Sequence, residues 1–354
     1  MRERMLAVIN GGQLDRVPFV QYTNLDAPNE VVWDRIGREQ MGILQWCTAY
    51  RFESPHCRFK EEAIIRDGLP GRRRTLITPA GNLTEERTLV PNMGGVTAIR
   101  KRFIAEPDDY PILMSYLRDI TVNENRLTLQ NIVKAIGDDG LPLVHFPRTP
   151  FQQLWVEWVP IEDLCLHLVD DPELVEECID CLDSIQRRTW EVTYRVADSV
   201  DIPFVDFPDN ITAPVIGKAY FRRYCLPYYN EAAEMMAEKG IPVYVHMDGD
   251  LKPLWDAIGE SRVKGIDSLS PAPDNDTRVA DAVTVWPEKR LLVNFPSSVH
   301  LADQETIYRQ AAQILQEGGH TGRLWIQISE NIPPGAWEKS YPAIVQAIQD
   351  FGVP

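Results

Sequence analysis

Long apolar runs are missing from this chain. No stretch approaches the roughly 18 residues that a membrane-spanning helix needs, and the amino-terminal Met-Arg-Glu-Arg-Met-Leu-Ala-Val-Ile-Asn has no apolar core of signal-peptide length. A cytoplasmic protein is the expectation. Positive charge is also in short supply, with 36 lysines and arginines against 52 acids and a formal net charge of -16. Nucleic acid and anionic membrane are thereby excluded as general partners, because both are densely negative. A local basic pocket stays compatible with that balance. Cysteine is sparse: six residues (Cys47, Cys57, Cys165, Cys178, Cys181 and Cys225) scattered over 354 positions suit reduced thiols rather than a disulfide framework. Cys178 and Cys181 form a Cys-x-x-Cys pair, but no second pair completes a zinc site. They read as two residues of a helix from Pro172 to about Ala197. Low-complexity tracts, short-period repeats, a Gly-x-Ser-x-Gly elbow, a P-loop and a His-Glu-x-x-His helix are all absent.

What is present is an ordinary globular composition, 44% hydrophobic and 25% charged, arranged as short apolar runs that alternate with helical sequence. The runs are Arg16–Tyr22, Leu141–Phe146, Ile202–Asp206, Ile241–His246, Lys264–Pro271, Arg290–Pro296 and Gly322–Glu330, with an eighth around Ile43–Thr48. Helices are expected near 29–42, 107–118, 123–137, 151–170, 172–197, 218–239, 251–262, 303–317 and 335–350. Buried parallel strands with helical crossovers predict an α/β fold, a (β/α)8 TIM barrel in one domain spanning 1–354. The alternative, an open doubly wound sheet, lacks the glycine-rich dinucleotide turn after its first strand. Residues 50–105 break the rhythm. There Arg72–Thr78, the turn 79–82 and Leu83–Leu89 predict an antiparallel hairpin insertion, and Arg72–Arg74 reads as a solvated basic face, with an anion contact as the sharper alternative.

In such barrels the chemistry sits at the carboxyl ends of the strands. Here those ends carry Tyr22, His145 with Arg148, Asp206 with Asp209 and Asn210, His246 with Asp248, Ser270, Asn294 with Ser297, and Glu330. Alternation along a strand points His246 and Asp248 the same way. With Glu330 they supply one nitrogen and two oxygen donors, a set that zinc accepts and manganese or iron tolerates; alternatively, Asp248 belongs to the turn and simply bonds His246. Asp206 and Asp209 read as acids, substrate anchors or loop-turn residues. His145 and Arg148 offer a hold on an anion or polar substrate group, or His145 is a satisfied core residue. Trp155 and Trp158 fit the buried face of a helix, with a pocket wall as the alternative.

Arg16-Val-Pro18, Asp206–Pro214, the Phe-x-x-x-x-Leu-Pro-Tyr-Tyr pattern within Tyr220–Tyr229, Val245-His-Met-Asp-Gly-Asp250, Val293-Asn-Phe-Pro296 and Ser329-Glu-Asn-Ile-Pro-Pro334 stand in an order that resembles the uroporphyrinogen decarboxylase superfamily. That superfamily includes porphyrin decarboxylases and corrinoid-dependent methyltransferases. The decarboxylases carry an arginine- and glycine-rich motif after the first strand, where this chain has Gln21-Tyr-Thr-Asn-Leu-Asp26. The methyltransferases hold zinc with His-x-Cys and a distant cysteine; this chain matches at His246 and has Asp248 and Glu330 in place of the cysteines. The resemblance implies methyl transfer from a small methoxy-type substrate to a separate corrinoid protein. A divalent metal, zinc by expectation, would be held by His246, Asp248 and Glu330. Asp209 and His246 would act in catalysis, and Tyr22, His145, Arg148, Asp206, Asn210 and Asn294 would position substrate. A metal-independent decarboxylase or lyase and a non-catalytic ligand-binding barrel are the alternatives. A homodimer is the oligomer considered.

Overall fold

Each expected apolar run becomes a strand, because its β-branched and aromatic residues tolerate burial on both faces. A computed structural model describes residues 1–91 and 95–354. The strands are β1 (Phe19–Tyr22), β2 (Met41–Cys47), β3 (Gly140–His145), β4 (Val205–Phe207), β5 (Val243–His246), β6 (Gly265–Leu269), β7 (Arg290–Asn294) and β8 (Leu324–Ile328). Each pairs in parallel with its sequence neighbours, and β8 closes on β1 to complete an eight-stranded barrel. Helical sequence connects successive strands and follows the last one, from Asn29–Ile36 after β1 to Trp337–Phe351 after β8. The chain folds as the (β/α)8 barrel its alternating pattern predicts.

By its internal contacts the chain divides into two compact units, Met1–Ala49, Arg126–Phe146 and Val196–Pro354 in the first, and Tyr50–Asn125 with Pro147–Arg195 in the second. The first contains the barrel. The second contains a four-stranded antiparallel sheet in the order Arg58–Arg66, Leu69–Thr78, Gly81–Leu89, Thr97–Lys101, which includes the expected hairpin. It also holds a strand pair that the periodicity concealed. Thr121–Glu124, expected to lie partly in a helix, is extended and pairs antiparallel with Tyr50–Glu53, and the helix starts only at Arg126. Cys178 and Cys181 lie in the helix Pro172–Val196, as expected. Trp158 is buried among the rings of Phe103 and Tyr116 in the second unit.

Inside the barrel, alternation stacks side chains in layers. Val20, Leu44, Leu143, Phe204, Tyr244, Leu292 and Trp325 belong to one apolar cluster that fills it. On β6 the corresponding residue is Gly265, and the ring of Tyr244 occupies the room this frees: a Cβ at Gly265 would lie 2.0 Å from Tyr244 Cε1. Gly265→Ala should therefore overpack the barrel and cost about 1–3 kcal/mol. A urea titration should show a lower midpoint at unchanged slope; an unchanged midpoint would mean that Tyr244 repacks freely.

Candidate active site at the barrel mouth

Two residues further along each strand, the same alternation turns Tyr22, Trp46, His145, Asp206, His246, Asp267, Asn294 and Gln327 to the side that the apolar layer faces. The barrel changes from apolar to polar within one step of the pleat. Its centre of charge is His246. The imidazole Nδ1 lies 3.2 Å from Asp267 Oδ2 and 3.4 Å from the Tyr22 hydroxyl, while Nε2 lies 3.5 Å from Asp248 Oδ2. Asp267 is fully buried. It accepts from Tyr22 Oη at 2.6 Å and from Gln327 Nε2 at 2.8 Å, and Gln327 in turn accepts from Trp325 Nε1 at 2.7 Å. Asp248 accepts from Asn210 Nδ2 at 2.7 Å.

Burial opposes charge on the His246 ring, but hydrogen bonds and proximity to Asp248 and Asp267 outweigh it and hold the ring well above its ordinary pKa. Burial likewise works against charge on Asp248, yet the His246 contact and the Asn210 amide keep its carboxyl below the usual range. The two shifts agree on an imidazolium and a carboxylate. Tyr22 is pushed well above its ordinary value by burial and by the charges of Asp267 and Asp206. It serves as a hydrogen-bond donor.

The remaining expected residues divide by location. Asp206 is fully buried beside His145 in the strand register, and its charge reaches Tyr22. His145 packs on Trp46 at 5.0 Å, and Trp46 packs edge-on against Tyr22 at 5.4 Å, so these rings form one wall. Asn294 donates to Ser270 Oγ and accepts from the backbone N–H and the hydroxyl of Ser329. Asp209 accepts from the Tyr229 hydroxyl at 2.7 Å, on the helix Leu226–Ala237. Arg148 belongs to the second unit, where its Nε lies 3.7 Å from Glu157.

Glu330 accepts from Ser297 Oγ at 2.9 Å and Ser270 Oγ at 3.3 Å. Burial raises its pKa, and it senses the charges of both Asp248 and His246. As a metal seat the trio is incomplete. His246 Nε2 and Asp248 Oδ2 stand about as far apart as two ligands of one tetrahedral ion, but Glu330 is engaged by its serines. Among the described residues no group of three or more His, Cys, Asp and Glu side chains is placed to hold an ion. As arranged, the residues do not fit a three-donor centre.

Asp267 is a residue of this candidate site that strand-end reasoning missed. A carboxylate inside the apolar run Gly-Ile-Asp-Ser-Leu was the available signal, since buried acids are rare without partners. Ser268 beside it has φ of 60°, and the β6–β7 register shifts between Ile266 and Leu269. Such a bulge re-aims side chains at a strand's end.

The arrangement can hold a proton on His246, orient it through Asp267 and Tyr22, and present it to a substrate atom in the barrel mouth. At these strand ends Asp206, Asp248, Asp267 and Glu330 bring negative charge, and Arg148, which follows β3, belongs to the second unit. A neutral or cationic group is the better fit to that field.

Among solved structures, a methyltransferase from Methanosarcina mazei is 13% identical, with 99% of this chain and 98% of that one covered and a TM-score of 0.55. A B12-independent methionine synthase from a Shewanella species is 8% identical over 95% of this chain and 97% of that one, with a TM-score of 0.48. The first likeness is one of fold. No curated protein sequence matches the chain. The family model described as uroporphyrinogen decarboxylase (URO-D) matches residues 128–351. That segment runs from the helix before β3 to the end of the last helix and includes His246, Asp248, Asp267 and Glu330, and the chain belongs to the uroporphyrinogen decarboxylase family.

Proposed function

We propose that the protein is a methyltransferase of this family that moves a methyl group from a small methoxy-type substrate to a corrinoid carried by a separate protein. The observation that carries the reading is the His246 ring held between Asp267 and Asp248 at the barrel mouth, where the two carboxylates favour its protonated form. Breaking an O–CH3 bond leaves negative charge on oxygen, and a positioned acid lowers that cost by supplying a proton as the charge develops. Asp267 holds the Nδ1 side, so the proton available for transfer is on Nε2. Asn210 keeps Asp248 turned toward the ring, and Trp46 and His145, whose planes meet at 55°, supply an aromatic wall for the body of the substrate. A corrin cobalt would supply the nucleophile that takes the methyl group. The four carboxylates Asp206, Asp248, Asp267 and Glu330 favour a neutral methoxy compound over a carboxylate substrate and so weigh against decarboxylation.

The test is incubation with reduced free corrinoid and a panel of methoxylated aromatic compounds, with the demethylated product followed by mass spectrometry. Demethylation by wild type and its loss in His246→Gln supports the reading. Carbon dioxide release from a panel of carboxylic acids, without demethylation, replaces it with a lyase. A divalent ion such as zinc would require Glu330 to leave Ser270 and Ser297 and join His246 and Asp248. Metal analysis of protein purified without chelator, with His246→Ala as control, decides that point: stoichiometric metal lost in the variant sinks His246 as proton donor.

A further inference from the structure

The second unit contains a cluster of arginines that the barrel chemistry does not use. Arg74 of strand Leu69–Thr78 lies over the ring of Phe59 at 3.9 Å. Phe59 packs against Phe103 and Tyr116, and both pack against Trp158. Arg102 donates through Nη1 to the carbonyl of Val156. Arg148 Nε stands 3.7 Å from Glu157 Oε1, and Glu157 also accepts from Gln153 Nε2 at 3.1 Å. Arg102 and Arg148 thus contact the segment that bears Glu157, and Arg74 stacks on the aromatic cluster beside it, where its charge acts on Glu157. With the neighbouring Arg87–Glu85 pair, and Glu61 shared between Arg72 and Arg74, five guanidinium groups stand against three carboxylates.

The hydrogen-bond account there is unbalanced as well. Arg74 Nε, Arg148 Nη1 and Trp158 Nε1 are shielded from solvent, and no protein group accepts from them. Arg74 Nε is 3.8 Å from Glu61, too far for a hydrogen bond. Charged donors left unmet inside a protein are costly, and a planar or tetrahedral oxyanion is the partner that guanidinium groups match best. Arg102 also lines a cleft of about 380 Å³ whose wall includes Arg100, Lys101 and Trp155, which gives room beside the cluster.

We infer that Arg74, Arg102 and Arg148, with the indole N–H of Trp158, form a binding site for the oxyanion of a small molecule, a carboxylate or a phosphate. This site does not depend on the methyl-transfer reading. Glu157 is the internal anion that a ligand must tolerate. Burial already raises its pKa against the pull of Arg148, Arg102 and Arg74, so an incoming anion favours its protonation.

Thermal shift and titration calorimetry with inorganic phosphate and with benzoate, against sodium chloride at matched ionic strength, test the site on the full chain. A saturable rise in melting temperature with either anion, absent with chloride, is expected; which anion acts names the source. Arg148→Gln and Arg74→Gln should each weaken binding about tenfold. Glu157→Gln, which removes the competing charge, should tighten it, an effect that a purely structural role would not produce. No saturable response beyond chloride, unchanged affinity in both arginine variants, or weaker binding in Glu157→Gln overturns the inference.

Discussion

Replacing His246 by glutamine should lower turnover by roughly 10²–10⁴-fold, the usual worth of a positioned general acid, while leaving the protein folded. Glutamine keeps an amide that can bond Asp267 but holds no transferable proton. The pH profile adds a second readout. Activity requires the protonated ring, so it should persist through neutral pH and fall as pH passes the raised value of His246. Asp248→Asn removes one of the two charges that raise it and should move that fall to lower pH. Single-turnover demethylation across a pH series measures both effects, with circular dichroism to verify folding. A His246→Gln protein within threefold of wild type would remove the proton donor from the mechanism.

Asp267→Ala should destabilise the barrel by about 3–5 kcal/mol, because it leaves a buried charge and its hydrogen-bond donors without their partner. His246 Nδ1, Tyr22 Oη and Gln327 Nε2 all lose an acceptor at once. The linkage has a definite sign. His246 binds its proton more tightly folded than unfolded, so its stabilising contribution is complete below the unfolded value of about 6.5. It is lost as pH rises through the raised folded value. Urea titrations from pH 6 to 9 should show this contribution in wild type and a flatter dependence in Asp267→Asn. An Asp267→Ala midpoint equal to that of wild type would mean that the network holds nothing together. Asp248 contributes in the opposite sense, since its lowered carboxyl stabilises the fold above its unfolded value and that stability is lost in acid.

These two residues were not equally visible in the sequence. His246 ends an apolar run and is followed by Asp248, so strand alternation alone points both the same way at a strand's end. Asp267 lies within β6, and the reading of that run passed over it for Ser270 at its end. The bulge at Ser268 is the reason: a register shift between Ile266 and Leu269 breaks the simple count from the strand's end. Trp46 and Gln327 escaped in a similar way, because a residue inside an apolar run shows its inward direction only when all eight strands are aligned. Glu330 and its serine partners Ser270 and Ser297 were all legible as strand-end residues, but that the two hydroxyls donate to this carboxylate shows only once β6, β7 and β8 lie side by side.

The alternation of buried strands and helices determined the barrel from the sequence, because period and punctuation are local properties that each segment expresses for itself. The strand order followed, since parallel strands with helical crossovers pair with their neighbours. Tertiary structure decided what each charged group faces. Only there does Asp267 back His246, Asp209 turn to Tyr229, Arg148 meet Glu157, and Thr121–Glu124 pair with Tyr50–Glu53. Those partners lie 9 to 74 residues apart, and side chains so separated acquire a shared electrostatic environment only when the intervening chain has closed.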